Sequence, residues 1–241
     1  MDMKDGAIWR WLSYLVLLLL GALAAFLFHR GLPLSAETAA LAAQERTVVI
    51  DAGHGGEDGG AVSSDGVVES GVNLAVAQRL DAVLTLCGQR TVMLRTEDIS
   101  LHDKTAGTIR EKKVSDIHNR VKRVNEQEEP RLISIHQNHF TSAKYHGAQV
   151  FYANGPLGQP WAEQTQSALR AALEPGNSRE AKPIGSNVYL MNHITCPAIL
   201  VECGFLSNRE ECQKLTDPAY QTKLALVIGA AYLQSAAQGL L

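Results

Sequence analysis

A chain of 241 residues, 46% of them hydrophobic, has material for one full-size domain with a closed core and hardly for two. Its formal charge of -3 excludes nucleic acid as the expected partner, because phosphate binding needs a concentrated cationic surface. The cysteines Cys87, Cys196, Cys203 and Cys212 show no C-x-x-C spacing, which excludes a cysteine-rich zinc ribbon and makes buried free thiols the expectation.

In chain order, the first feature is Trp11 to Phe28, an uncharged apolar run preceded by Lys4 and Arg10 and just long enough for a bilayer-spanning helix. A cleavable signal has a shorter apolar core, and the best small-x-small site, Ala40-Leu41-Ala42, lies far beyond the run. Residues 1–30 are therefore expected to be an uncleaved membrane anchor. Residues 31–46, rich in Ala and Glu, are expected to form a stalk.

A domain over 47–236 then starts abruptly with Thr47-Val48-Val49-Ile50, a β-branched run ending in Asp51 and a glycine cluster, the pattern of a buried parallel strand entering a functional loop. Similar runs are Thr91 to Leu94, Leu132 to Ile135, Ala148 to Tyr152, Val188 to Met191 and Ala198 to Val201. Between them lie helical patterns. Val72, Val76, Leu80 and Leu84 recur every four residues and share a face. Further helices are expected over Asp116 to Glu128, Trp161 to Leu173 and Pro218 to Leu233, the last opened by Asp217 as N-cap and Pro218 at the first helical position. Strands alternating with helices predict a three-layer αβα domain around a mostly parallel sheet of about six strands.

In such sheets ligands sit beyond the carboxyl ends of the strands. The polar residues there are Asp51 to Gly56, which include His54, then His136-Gln137-Asn138, and Glu202, with Glu69 opening the helix after the first loop. Two histidines and a carboxylate make a common catalytic zinc set with a fourth position left for water. A second carboxylate then handles the proton, and Glu202 is the candidate. Against this, the chain has eight histidines, and a lone His after a strand or a glycine-rich run is most often structural. Spacing alone leaves the ligands open among His54, Glu69, His136 and His139.

The segments V-V-I-D-A-G-H-G-G-E-D-G-G-A (48 to 61), G-V-V-E-S-G-V-N-L (66 to 74), L-R-T-E-D (94 to 98), I-S-I-H-Q-N (133 to 138) and I-L-V-E-C-G-F-L-S-N (199 to 208), in this order, resemble the zinc-dependent N-acetylmuramoyl-L-alanine amidases. The resemblance spans essentially all of Thr47 to Leu233. It implies an αβα hydrolase that cuts the amide between muramic acid and L-alanine in peptidoglycan, with Zn2+ on His54, Glu69 and His136 and with Glu202 catalytic. Asn138, Asp51 and Asp58 fit supporting or turn positions, since zinc-bound histidines need a partner for the other ring nitrogen. His139 is expected on the pocket wall. An apolar N-terminal segment joined directly to the catalytic domain, with the insertion at 102 to 120, is similar to the germination-specific branch of the family and implies a role in the spore cortex. The domain would then lie outside the cytoplasm, tethered through residues 11–28. The sequence identifies no activating partner protein and leaves room for one. The rival readings are a zinc peptidase acting on stem peptides and a silent peptidoglycan-binding module. The second is disfavoured because all four motif residues are present.

Overall fold

The strands are β1 (Thr47–Ala52), β2 (Arg90–Met93), β3 (Pro130–Asn138), β4 (Gln149–Tyr152), β5 (Lys182–Pro183) and β6 (Ala198–Phe205). They form a six-stranded sheet in the order β2-β1-β3-β6-β4-β5. The computed structural model describes residues 46–153 and 155–241, all within one compact unit, Ala43–Leu241. The expected anchor and, apart from Arg46, the expected stalk lie outside the described residues. Among the described residues no helix is long and apolar enough to cross a membrane.

β1, β2, β3 and β6 are mutually parallel, whereas β4 runs antiparallel to β6 and carries β5 with it. The central strands are apolar on both sides because both faces are covered, and every residue of β1 is buried. Helices α1 (Glu69–Leu86), α3 (Gly158–Leu173) and α6 (Pro218–Ala237) cover one face, where Leu80, Leu84, Trp161, Ile228 and Tyr232 pack on Ile50, Ile133 and Val201. Helices α2 (Ile109–Asn125) and α4 (Tyr189–His193) cover the other, with Val124, Leu190 and Met191 against Val49, Leu132 and Leu200. A short α5 (Arg209–Thr216) joins β6 to α6. At the start of α6 Asp217 caps Ala219 and Pro218 occupies the first turn, as the sequence predicts.

Two expectations are corrected. The run Val188 to Met191 is not a strand. It leads into α4, whose Leu190 and Met191 plug the second core, and a four-residue apolar run has no periodicity to separate the two states. The sixth strand is instead Lys182–Pro183, too short and polar to show in a pattern. Helix α2 begins at Ile109 rather than Asp116, because Thr108 and Glu111 close a capping box in which Glu111 N–H donates to the Thr108 hydroxyl and Thr108 N–H to the Glu111 carboxylate. The expected insertion, 102–120, is thus a loop over 102–108 followed by the first twelve residues of this helix.

Candidate active site

The site lies at the carboxyl edge of β1, β3 and β6. β1 ends at Ala52, and the chain turns through Gly53-His54-Gly55-Gly56, with His54 itself at φ 61. A histidine in the left-handed region is uncommon and has to be held there. Two buried arginines hold it. Arg95 donates through Nε to the Ala52 carbonyl (2.8 Å) and through Nη2 to those of Gly53 (3.0 Å) and Ser70 (2.9 Å). Arg120, from α2, donates to the carbonyls of Ala52 (2.9 Å) and His54 (2.7 Å) and pairs with Asp51 and Asp116. Burial pushes the Asp51 carboxyl upward. The Arg120 and His136 charges and hydrogen bonds from Ser134 and Arg120 outweigh that and hold it below the ordinary range.

His54, Glu69 and His136 come together, each offering a ligand atom, all within 4.8 Å of one another. His54 Nε2 is 3.4 Å and His136 Nδ1 3.1 Å from Glu69 Oε1. The other nitrogen of His54, Nδ1, donates to Asp58 Oδ2 at 3.0 Å, which fixes the tautomer and leaves Nε2 facing the group. This hydrogen bond, with a further one from Lys113, holds Asp58 well below the usual carboxylate range. Glu69 opens α1, where the helix dipole favours a negative charge. It also accepts from Ala61 N–H (2.9 Å), Gln137 N–H (3.2 Å) and Asn73 Nδ2 (3.2 Å). Burial alone would raise its pKa. His136, His54 and the Ala61 amide bring it down to about 2, so Glu69 is a carboxylate at neutral pH. Gly53 lets His136 approach, since a Cβ there would lie 2.2 Å from the imidazole.

Glu202 of β6 sits directly beside His136 of β3 in the parallel register. Its Oε2 is shielded from solvent and has no hydrogen-bond partner. Burial and the Glu69 charge push its pKa up, the His136 charge opposes them, and the outcome is about 7. A shielded, unpartnered carboxylate costs stability, so its presence points to chemistry rather than packing. Two imidazole nitrogens and a carboxylate oxygen at such spacing are the donor types a divalent transition metal takes, and they fit a metal. The orphaned Glu202 oxygen stands on the same edge, beside His136.

Asn138 is half-buried past a register shift in β3, and its carbonyl accepts from Leu206 N–H at 2.8 Å. His139 is exposed and stands outside the donor group. Cys203 is buried in the core on the opposite side of β6 from Glu202, as strand alternation predicts, and burial pushes its thiol up to about 12. All four cysteines are free, with only Cys203 and Cys212 buried. Sequence reasoning missed Arg95, Arg120, Asn73 and Ser134. Arg95 follows an apolar run, and Asn73 lies one turn after Glu69, so both left a trace. Arg120 sits among charged residues of a helix and left none.

A family profile described as N-acetylmuramoyl-L-alanine amidase matches residues 48–233. The chain belongs to this family. The amidase is 39% identical over 181 residues to the germination-specific N-acetylmuramoyl-L-alanine amidase of Bacillus subtilis (strain 168), covering 75% of each chain. Among solved structures it is similar to the CwlD amidase of Clostridioides difficile, determined in complex with the GerS lipoprotein, with a TM-score of 0.75, 34% identity and coverage of 78% of this chain and 96% of that one. A second amidase, from Clostridium difficile 630, gives a TM-score of 0.68 at 27% identity, covering 80% and 97%. The chain is an enzyme of the cell wall that hydrolyses the amide between N-acetylmuramic acid and L-alanine in peptidoglycan, and it works outside the cytoplasm.

Proposed function

We propose that this amidase is a zinc enzyme in which His54, Glu69 and His136 hold the metal and Glu202 is the general base and acid. The observation that carries the reading is the group of three donors beside a shielded carboxylate with an unpartnered oxygen. Bound there, zinc would polarise the substrate carbonyl and acidify a water molecule. Glu202 takes a proton from the attacking water onto its carboxylate and returns it to the departing alanine nitrogen. A pKa near 7 suits both halves of that transfer. Asp58 keeps the Nδ1 proton of His54 in place, and Arg95 and Arg120 prevent the His54 loop from rotating away from the cleft.

Digestion of purified peptidoglycan, followed by mass spectrometry, tests the whole reading. The expected products are intact stem peptides and peptide-free glycan, with activity abolished by a chelator and restored by Zn2+. Release of single amino acids would favour a peptidase instead.

The physiological setting proposed is the spore cortex, supported by the 39% identity to the germination-specific relative and by the segment at 102–120, which leads into and begins α2. Residues 1–30 are proposed to anchor the enzyme, residues 31–46 to act as stalk and 47–236 as the catalytic domain, so that tethering replaces a wall-binding module by raising local concentration. The solved relative was captured with a lipoprotein, which supports looking for an extracytoplasmic protein partner here.

A further inference from the structure

A cavity of about 470 Å³ opens at the amino end of β4, lined by Lys144, Gln149, Arg179, Glu180 and Lys182 among others. Three cations and one carboxylate face it, and among the described residues none of Lys144, Arg179, Glu180 and Lys182 makes an ion pair. Three cations against one carboxylate give the concavity a net positive charge, which favours an anionic ligand. Arg179 is the fixed member. Its Nε donates to the His146 carbonyl (2.9 Å), its Nη1 to Gln149 Oε1 (3.0 Å), and its guanidinium lies 4.6 Å from the centre of the Phe205 ring. Nη2 has no partner among the described residues. The loop beneath is fixed too, because Asn177 donates to the Ala148 carbonyl (2.8 Å) and accepts from Arg179 N–H (3.0 Å).

The cavity's place in the sheet indicates what it meets. Gln149, on its wall, is the direct register partner of Glu202, so the cavity starts one strand beyond the catalytic carboxylate on the same sheet edge. Neighbouring strands are about 4.8 Å apart and an extended chain advances about 3.5 Å per residue. A stem peptide that runs from Glu202 toward β4 would bring its second residue over that strand. A free carboxylate on that residue would meet the cationic wall.

Resting on the amidase activity described above, we infer that this cavity is a subsite that reads a free carboxylate of the stem peptide, with Arg179 as the fixed donor and Lys144 and Lys182 as flexible counter-charges. The occupant is the peptide rather than a phosphate polymer, because Gln149 on the cavity wall pairs in register with Glu202 on the neighbouring strand. Calorimetric titration of the full-length chain in detergent tests this, using a synthetic stem tripeptide with either a free carboxylate or a carboxamide on its second residue. The wild type is expected to bind the acid form about tenfold more tightly or better, the scale of a charge-assisted hydrogen bond. Arg179→Gln is expected to abolish that preference and Lys182→Gln to weaken it. Lys182 makes no side-chain hydrogen bond or ion pair among the described residues, so its variant decides the matter even if Arg179→Gln fails to fold. Equal affinity for the two peptides in the wild type would overturn the inference, as would a preference undiminished in Arg179→Gln or, should that variant not fold, in Lys182→Gln. So would tighter binding of glycerol phosphate oligomers than of the acid-form peptide. Cleavage of a muramyl-peptide is scored separately, and its failure beside an intact binding preference would count against the catalytic assignment alone.

Discussion

Glu202→Gln keeps the shape of the side chain and removes the proton acceptor, so the variant should retain its fold and its zinc while turnover falls by roughly 10²-fold or more. Metal content, thermal stability and substrate binding must be measured alongside, since metal loss would make Glu202 a ligand and near-normal turnover would remove it from the chemistry. His136→Ala should lose the metal outright, and full zinc occupancy in that protein would sink the ligand assignment. His54, Glu69, His136 and Glu202 were legible as candidates because each follows an apolar run or opens a helix, where an apolar pattern gives way to a polar residue without a packing reason; His136 and Glu202 in fact lie within β3 and β6, near their carboxyl ends. Spacing could not choose between His136 and His139. Which of them joins the donor group depends on the register shift after His136, beyond which His139 turns to solvent. Arg120 was not legible at all, because whether a helix arginine is buried is decided by what packs on the helix, not by its neighbours in sequence.

The contact between α2 and the loop after β1 is the element that shapes the site, and it responds to acid. Asp51 has a folded-state pKa below its ordinary 3.8, so its stabilising contribution is complete above that value and disappears as pH falls through the folded pKa. Asp51→Asn should therefore destabilise the protein at pH 7 by roughly 3 kcal/mol, the low end for losing one partner of a buried pair, because Arg120 keeps Asp116. The gap to wild type should narrow below pH 3.8, and denaturant unfolding at pH 7 and pH 3 measures both numbers. Gly53→Ala probes the same junction from the other side. A Cβ there would strike the His136 ring, so weaker zinc binding with an intact fold is expected, read by competition with a chromophoric chelator. Helix α1 could be foreseen from its four-residue repeat, whereas β5 could not, since two residues paired at a sheet edge leave no periodic trace.

For the whole molecule, one continuous sheet with helices on both faces supplies the stability that lets a polar edge be built at one end. Leu80, fully buried in the larger core, is far from that edge in function, and Leu80→Ala should cost roughly 2–5 kcal/mol in unfolding free energy while zinc affinity stays unchanged. Protein isolated from native membranes should retain Met1 if residues 1–30 are an uncleaved anchor, and a mature form starting near Ala43 would show a signal peptide instead. The direction of β4 has a further consequence. Because that strand runs against the other large strands, the stretch of chain from 139 to 148 must pass the end of β6 to reach it, and so it borders the cleft without belonging to any strand that carries a proposed ligand. Lengthening or recolouring that stretch would alter which wall polymers fit while leaving the reaction centre untouched. Reactivity and selectivity are thereby inherited on separate pieces of sequence, and an enzyme of this design can follow a changing cell wall by editing one of them.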